Sequence, residues 1–357
     1  MSSHDVKVCI VAASLRSLGG QSIQAADLIV RFAKDSLAVG FLAVDPMLPE
    51  AWRKLQRIKY LRTVITWPLY IKHLITELPR FNVLHLFSAS YLSFLLAPTP
   101  AVIIGKLFRK KVILNYHSGE AEDHLKRSSR IIRAVLSLAD HLVVPSTYLQ
   151  NIFNDFGIMA TVIPNVVDTD VFRYYRRHIY RPRFIVSRTL EPLYNVRCAI
   201  KAFRVIQDQI PDAVLTILGS GSQEEELKAL AVSLKLRNIN FIGRVERKEI
   251  ASYYFDHDVM LNASNIDNMP LSILEAFASG LPVVTTAAGG IPYLVKGDMT
   301  GILVPLNDHI ALADAVLRLL SDQELAGTIA QNAYDEVKNY YSWDVVRNQW
   351  LKLYGKQ

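Results

Sequence analysis

The sequence predicts a parallel α/β protein built from two doubly wound domains, and three observations carry that prediction. Strand-like apolar runs alternate with helical patterns almost throughout, as the crossover connections of a parallel sheet require. The runs are apolar without strict alternation, as expected of strands covered on both faces. A length of 357 residues is enough for two domains of ordinary size. Apolar content of 51% with 20% charged residues excludes a disordered chain.

In the first half, strands are expected near Val6–Ala12, Val39–Val44, Val83–Phe87, Val112–Tyr116, His141–Pro145 and Thr161–Ile163. In the second half they are expected near Phe184–Val186, Ala213–Leu218, Ile239–Phe241, Val259–Asn262, Val283–Thr286 and Gly301–Val304. The run Val8–Ala13 is short and follows Asp5, so it reads as a first buried strand and not as a secretory signal. Val83–Gly105 carries no formal charge over a membrane-spanning length, but its serines, Pro98 and Pro100 divide it into a strand and two helices. The charged, aromatic stretch Arg173–Arg183 (RYYRRHIYRPR) interrupts the rhythm and is the expected linker. The expected division is an N-terminal domain over 1–175, a C-terminal domain over 176–338, and a closing segment over 339–357. That segment has a helical pattern from Tyr341 to Tyr354 with Trp343 and Trp350. Two such domains facing each other would put the carboxyl ends of their strands on a central cleft, where such sheets bind ligands.

The two cysteines, Cys9 and Cys198, lie in apolar runs and read as small buried hydrophobes in a reducing, cytoplasmic compartment. Charge is uneven: residues 1–175 hold 20 Lys+Arg against 13 Asp+Glu, and the remainder 20 against 20, so the whole formal +7 belongs to the first half. Arg53, Lys54, Arg57, Lys59 and Arg62 interleave with Trp52, Tyr60, Trp67 and Tyr70, a composition that suits an anionic membrane surface. No nucleic-acid partner is expected, because nothing here resembles a base-reading element.

The stretch DNMPLSILEAFASGLPVV, Asp267 to Val284, places one carboxylate in a polar loop and a second, Glu275, in a short helix. Pro270 suits the first turn of that helix, and Gly280 and Pro282 stop it. A helix N-terminus attracts phosphate, and Glu275 lies about 7 Å along the axis from it at 1.5 Å rise per residue. That is a workable distance between a phosphate and the hydroxyls of a ribose. Arg188 follows the first strand of the second domain, where a guanidinium could fork onto a diphosphate. Gly219, Gly243-Arg244 and Gly289-Gly290 end further strands, and Gly19-Gly20 follows the first strand of the chain and opens a helix over Ile23–Ala33. His117 ends a strand beside Glu120, Glu122, Asp123 and His124; this spacing is no recognised ligand set, and no metal is expected.

The blocks ADHLVVPSTYLQNIF, VIPNVVDTDVF and LNASNIDNMPLSILEAFASGLPVVTTAAGGIPYLV, in this order and spacing, resemble the retaining, nucleotide-sugar-dependent enzymes of glycosyltransferase family 4. The resemblance covers nearly the whole chain. It implies the GT-B fold: two Rossmann-like domains about a central cleft, with the C-terminal helix packing back on the N-terminal domain. It implies that Glu275 holds the donor's ribose hydroxyls and that Asp267, in place of the family's usual glutamate, contacts the transferred sugar. Met269, Pro270, Leu271 and Ser272 would meet sugar and diphosphate, and Arg188 would neutralise the departing diphosphate. Gly19 and Gly20 match the family's glycine loop, and His117 its histidine near sugar and acceptor. Gly219 and Arg244 complete the expected donor-binding set.

One departure bears on activity. The lysine usual five residues after the arginine is Leu193 here, in RTLEPLYNV. A charge-assisted hydrogen bond is worth roughly 1.5–3 kcal/mol, which in a transition state is about one to two orders of magnitude in rate. Arg197 and Arg244 are the candidate replacement cations. The expected activity is retaining transfer of a hexose unit from a nucleotide diphosphate sugar to an acceptor hydroxyl. The acceptor would be lipid-linked or a glycolipid in cell-envelope polysaccharide synthesis, at the inner face of the membrane, with no essential metal or cofactor. A nucleotide-sugar-binding protein without transferase activity and a GT-B nucleotide-sugar epimerase are the alternatives.

Overall fold

The computed structural model describes residues 6–14, 20–48, 50, 59–88 and 90–355, and the chain divides into two compact units. The first holds residues 1–164 and 346–357, and the second residues 165–345. Every strand expected from the sequence is present, each within a residue or two of its expected ends.

In the first unit the chain runs β1 (Lys7–Ala12), α1 (Gly20–Lys34), β2 (Ala38–Ala43), α2 (Lys59–Glu77), β3 (Val83–Ser88), α3 (Tyr91–Leu96) and α4 (Pro98–Leu107). It continues through β4 (Lys111–Tyr116), α5 (Ala121–Leu136), β5 (His141–Val144), α6 (Thr147–Asp155) and β6 (Thr161–Val162). The six strands form one parallel sheet in the order β2-β1-β3-β4-β5-β6. The chain therefore leaves β1 for one edge, returns to the centre and winds toward the other edge, and the reversal lies between β1 and β3. The uncharged stretch after Val83 becomes β3, α3 and α4, broken at Ala97–Pro98 as its prolines imply. No described helix is long and apolar enough to cross a membrane.

The second unit repeats the plan with β7 (Arg183–Ser187), α7 (Val196–Gln209), β8 (Val214–Leu218), α8 (Glu224–Ser233), β9 (Ile239–Gly243), α9 (Arg247–Asp256) and β10 (Val259–Asn262). Then come α10 (Leu271–Ala278), β11 (Val283–Thr286), α11 (Ile291–Leu294), β12 (Ile302–Val304), α12 (His309–Ser321) and α13 (Gln323–Glu336). Its parallel order is β12-β11-β10-β7-β8-β9, so the winding reverses between β7 and β10. Burial on both faces is visible residue by residue. Phe184 and Val186 enter one core cluster and Ile185 the other, while Val259 and Leu261 oppose Met260 in the same way.

The last helix, α14 (Trp343–Tyr354), buries Val346, Trp350 and Tyr354 at four-residue spacing and belongs to the first unit from Val346 onward. Trp350 stacks on His85 of β3 with ring centroids 4.5 Å apart, and the Tyr354 hydroxyl lies 2.7 Å from His85 Nδ1. Arg347 pairs with Asp35 just beyond α1.

The units divide at Pro164, earlier than the expected boundary at 175, because residues 165–175 pack on the second unit. Asn165 donates to the Met269 carbonyl, Val167 N–H to Tyr341 O, and Phe172 is buried in that unit's core. The stretch expected to be a linker also needs correction at Arg177, which is buried. Its guanidinium donates to the carbonyls of Tyr254 and Phe255 at the end of α9, of Ser279 and Gly280 after α10, and of Tyr175 and His257. Asp258 balances the charge at 3.4 Å. A buried guanidinium survives because it spends its donors on helix-terminal carbonyls that would otherwise be orphaned.

Candidate functional site

The strongest constellation sits where the second sheet reverses, beyond the carboxyl ends of β7 and β10. Arg188 extends β7 by one residue, its N–H bonding Leu218 O at 3.0 Å. Its side chain ion-pairs with Asp267, which closes the loop after β10. The second guanidinium nitrogen reaches Ser272 Oγ at 3.4 Å, and the Tyr194 ring lies 4.0 Å from its central carbon. Arg188 Nε is buried without a protein partner, so the guanidinium keeps one donor for something the protein does not supply.

Close backbone approach holds these loops, and glycine permits it. Gly219 has φ +125°, and a Cβ there would lie 1.9 Å from Arg188 O. Gly289 and Gly290 do the same for the other side: added Cβ atoms would meet Asp267 O at 2.3 Å and Asn268 O at 2.2 Å. Gly290 N–H donates to Asp267 O at 2.9 Å, so the Gly-Gly turn after β11 fixes the Asp267 peptide. A buried ladder shapes the start of that loop: Asn262 to Thr285, Ser264 to Asn262, and Thr286 to Ser264 O.

The helix N-terminus is assembled beside this pair. Pro270 is the residue before α10, with φ −66° and ψ 123°, and not its first helical residue as expected. The fixed φ of proline suits this position too, and its missing N–H leaves nothing unpaired there. The amides of Leu271 and Ser272 open the helix without an acceptor among the described residues, while Ile273 N–H turns back to Pro270 O at 3.2 Å. Met269 O is held by Asn165 Nδ2 at 3.0 Å. One turn on, Glu275 accepts from the Tyr254 hydroxyl at 3.0 Å. A guanidinium, two free amides at a helix N-terminus and a carboxylate one turn away together form a receptor for an anion joined to a polyol.

The position of Leu193 is instructive. It lies in a 3₁₀ turn, Pro192–Tyr194, whose carbonyl takes the amides of Asn265 and Ile266 at 2.9 and 3.4 Å. The backbone thus supports the Asp267 loop while the side chain is 39% exposed and supplies no charge. Of the two candidate replacement cations, Arg197 is engaged by Glu226 on the surface. Arg244 is exposed after β9, with no hydrogen bond or ion pair among the described residues.

In the first unit, His117 follows β4 with its N–H on Ser88 O at 3.2 Å and its ring stacked on Phe87. His117 Nε2 is buried without a partner, and burial lowers its pKa to about 3, so the ring is neutral. His85, fully enclosed between Phe87 and Trp350, is likewise lowered to about 3, by burial first and by His117 second. Gly20 opens α1, and Ser14 is fixed at the end of β1 by both carboxylate oxygens of Asp45 at 2.7 Å. Gly19, Trp52, Arg53, Lys54 and Arg57 lie outside the described residues.

Two of the three carboxylates near His117, and His124, have other partners. Asp123 takes the Tyr91 hydroxyl and Arg127, Glu122 takes Lys126, and His124 meets the Tyr116 hydroxyl. Among the described residues no cluster of three His, Cys, Asp or Glu could hold a metal ion. Cys9 and Cys198 are buried free thiols, pushed up to about 12 and about 11 chiefly by desolvation.

Sequence reasoning missed Asn165, Tyr194, Tyr254 and Arg177. Tyr194 and Tyr254 carry no local signal, since an aromatic in a helical or apolar stretch reads as core. Arg177 was masked by the surrounding charges, and Asn165 showed only as part of a longer block.

Two sequence families match this chain in tandem: one described as Glycosyltransferase Family 4 over residues 18–171, and one described as Glycosyl transferases group 1 over residues 179–336. The sulfoquinovosyl transferase SQD2 of Arabidopsis thaliana is 26% identical over 292 residues, 75% of this chain and 56% of that protein. The GDP-mannose-dependent alpha-(1-6)-phosphatidylinositol monomannoside mannosyltransferase of Mycobacterium tuberculosis is 27% identical over 237 residues, 60% of this chain and 62% of that protein. The chain thus spans less than two thirds of the length of either relative. Among solved structures, HepE of Anabaena in complex with UDP-glucose superposes with a TM-score of 0.78 at 18% identity, covering 99% of this chain and all of that one. Sucrose-phosphate synthase of Thermosynechococcus elongatus gives 0.77 at 20% identity, covering 99% of each.

Proposed function

We propose that this chain, which belongs to glycosyltransferase family 4 and has the GT-B fold, moves a hexose unit from a nucleotide diphosphate sugar to an acceptor hydroxyl with retention of configuration. The observation that carries the reading is the Arg188–Asp267 pair at the reversal of the second sheet, beside the open N-terminus of α10. In this reading Arg188, with its spare Nε–H, and the amides of Leu271 and Ser272 take the diphosphate. Charge grows on that group as the sugar departs, so donors already fixed there lower the barrier. Asp267 then exchanges part of its contact with Arg188 for the sugar hydroxyls, and Glu275 takes the ribose. Gly219 keeps the loop after β8 against Arg188, and Arg244 is the cation free to approach the phosphates. His117, neutral and with Nε2 unpaired, can accept or donate one hydrogen bond at a sugar or acceptor hydroxyl. Gly20, which opens α1, is proposed to meet the donor through its backbone. No metal or other cofactor is part of this scheme.

Retention is read as attack from the face the diphosphate leaves, with a phosphate oxygen taking the acceptor's proton. The acceptor is proposed to be lipid-linked or a glycolipid, in cell-envelope polysaccharide synthesis, reached by peripheral attachment to an anionic membrane surface. Two features support this. Helix α2 turns Val64, Trp67 and Ile75 to solvent beside Arg62 and Lys72. One relative's name specifies a phosphatidylinositol mannoside. Proton NMR of a reaction with an acceptor panel tests the scheme: the new anomeric coupling should match that of the donor sugar, and inversion would overturn it. Liposome co-sedimentation should rise with anionic lipid content, and indifference to it would remove the membrane.

One observation favours a second reading. Leu193 leaves the diphosphate one cation short, which suits a protein that binds the nucleotide sugar and transfers little. Tight nucleotide binding with neither donor hydrolysis nor transfer would select it.

A further inference from the structure

We infer that Tyr254 is a positioning residue for Glu275 and, through it, for the ribose of the bound nucleotide; the inference rests on the role proposed above for Glu275. In ASYYFDHDV the residue looks like any core aromatic, and its ring is indeed fully buried, edge-on to Phe172 at 5.5 Å. Its hydroxyl is what a core does not need. That hydroxyl lies 3.0 Å from Glu275 Oε2 and 3.2 Å from Ser272 O. A phenylalanine would fill the same space without a buried polar group to satisfy.

The phenol and the carboxylate are fixed on both sides. Arg177 binds Tyr254 O at 2.8 Å and Ser279 O and Gly280 O at 3.0 Å, so one buried guanidinium ties the end of α9 to the end of α10. The helix that carries the phenol and the helix that carries the carboxylate are therefore locked in register. Burial raises the Tyr254 pKa well above its ordinary value, so the group stays a proton donor across the working pH range. A glutamate half-exposed on the second turn of a helix has several rotamers open to it. Donation from Tyr254 selects one, and recognition of a vicinal diol requires a carboxylate held in one orientation.

The test compares ribo- and 2′-deoxyribonucleotides. Wild-type protein and Tyr254→Phe are titrated calorimetrically with UDP, GDP and ADP and with the 2′-deoxy form of each. For the nucleotide that binds, wild type should prefer the ribo form by about tenfold or more, the size expected for a hydrogen bond to a charged group. Tyr254→Phe should reduce that preference to less than about threefold, with the affinity for the deoxy form nearly unchanged. In a Glu275→Gln background the same change should no longer alter the ratio, because the phenol acts only through the carboxylate. An undiminished ribose preference in Tyr254→Phe overturns the inference while leaving Glu275 its role. Absence of ribose preference in wild type overturns the role of Glu275, and the inference with it. Should Tyr254→Phe not fold, Tyr254→Met removes the hydroxyl while a flexible apolar side chain fills the site, and an undiminished ribose preference there also counts against the inference.

Discussion

The strand ends of the two units differ in chemistry although their topology is the same. At the reversal of the second sheet stand a paired arginine and aspartate, a glutamate, and glycines where a single Cβ would strike backbone. In the first unit His117 after β4 and His85 within β3 are held uncharged by burial, the hydroxyls of Ser90 and Tyr116 lie 2.9 Å apart, and the carboxylate of Asp45 beyond β2 is taken up by Ser14. Charge and close backbone suit a diphosphate, whose affinity comes from cations and amides. Neutral hydrogen-bonding groups suit a hydroxyl, which they can orient as donor or acceptor. One architecture can thus carry different chemistry by what it places around its strand ends, and sites, not folds, carry that difference.

Breaking the charged side should have the largest effect. Arg188→Ala should lower transfer by more than about 100-fold, the loss typical of removing one fixed donor to a developing negative charge, and Asp267→Ala, which removes the acceptor that holds Arg188 and is proposed to hold the sugar, should nearly abolish it as well. Wild-type-like turnover in either variant would dissolve the contrast. Asp267→Ala should also lower the melting temperature, because it strands the Arg188 guanidinium nearly buried. Next comes the clamp: Arg177→Ala leaves a set of buried carbonyls and Asp258 unpaired and should cost about 3–5 kcal/mol in chemical denaturation. A loss below about 1 kcal/mol would mean water replaces the guanidinium.

Sharpening the charged side should have a smaller effect. Leu193→Lys restores a cation beside the diphosphate and should raise the transfer rate by about one to two orders of magnitude. No gain would show that Arg244 or another cation already fills the need. The neutral side is tested separately, through pH dependence. His85 and His117 are lowered from 6.5 to about 3, so the unfolded chain binds more protons than the folded one in that window. Stability should therefore be fully present above pH 6.5 and fall as pH drops toward 3, by up to ~1.4 kcal/mol per pH unit for each histidine. A melting temperature flat from pH 7 to 4.5 would contradict this.

The fold was legible because parallel strands buried on both faces leave long apolar runs, and the twelve strands among the described residues follow from such runs. The helix after Asp267 was legible through Pro270 and Gly280, residues that fix backbone. What escaped were side chains whose role depends on a distant partner. Tyr254 meets a glutamate on another helix, and Arg177 collects carbonyls from two helix ends. Nothing adjacent to either residue in sequence announces that partner. Leu193 was visible as a departure, but only the structure shows its carbonyl supporting the Asp267 loop.

The central claim is that Arg188 and Glu275 receive a nucleotide diphosphate, and melting temperature reads this directly. Wild type, Arg188→Ala and Glu275→Ala should be screened with UDP, GDP and ADP and their sugar conjugates. At a concentration near 100 times Kd the cognate nucleotide should add about 2.7 kcal/mol of stability to wild type. That rise should be largely lost in both variants, whose unliganded midpoints are measured alongside. No stabilisation of wild type by any of these nucleotides, or an equal rise in Arg188→Ala, would contradict the account.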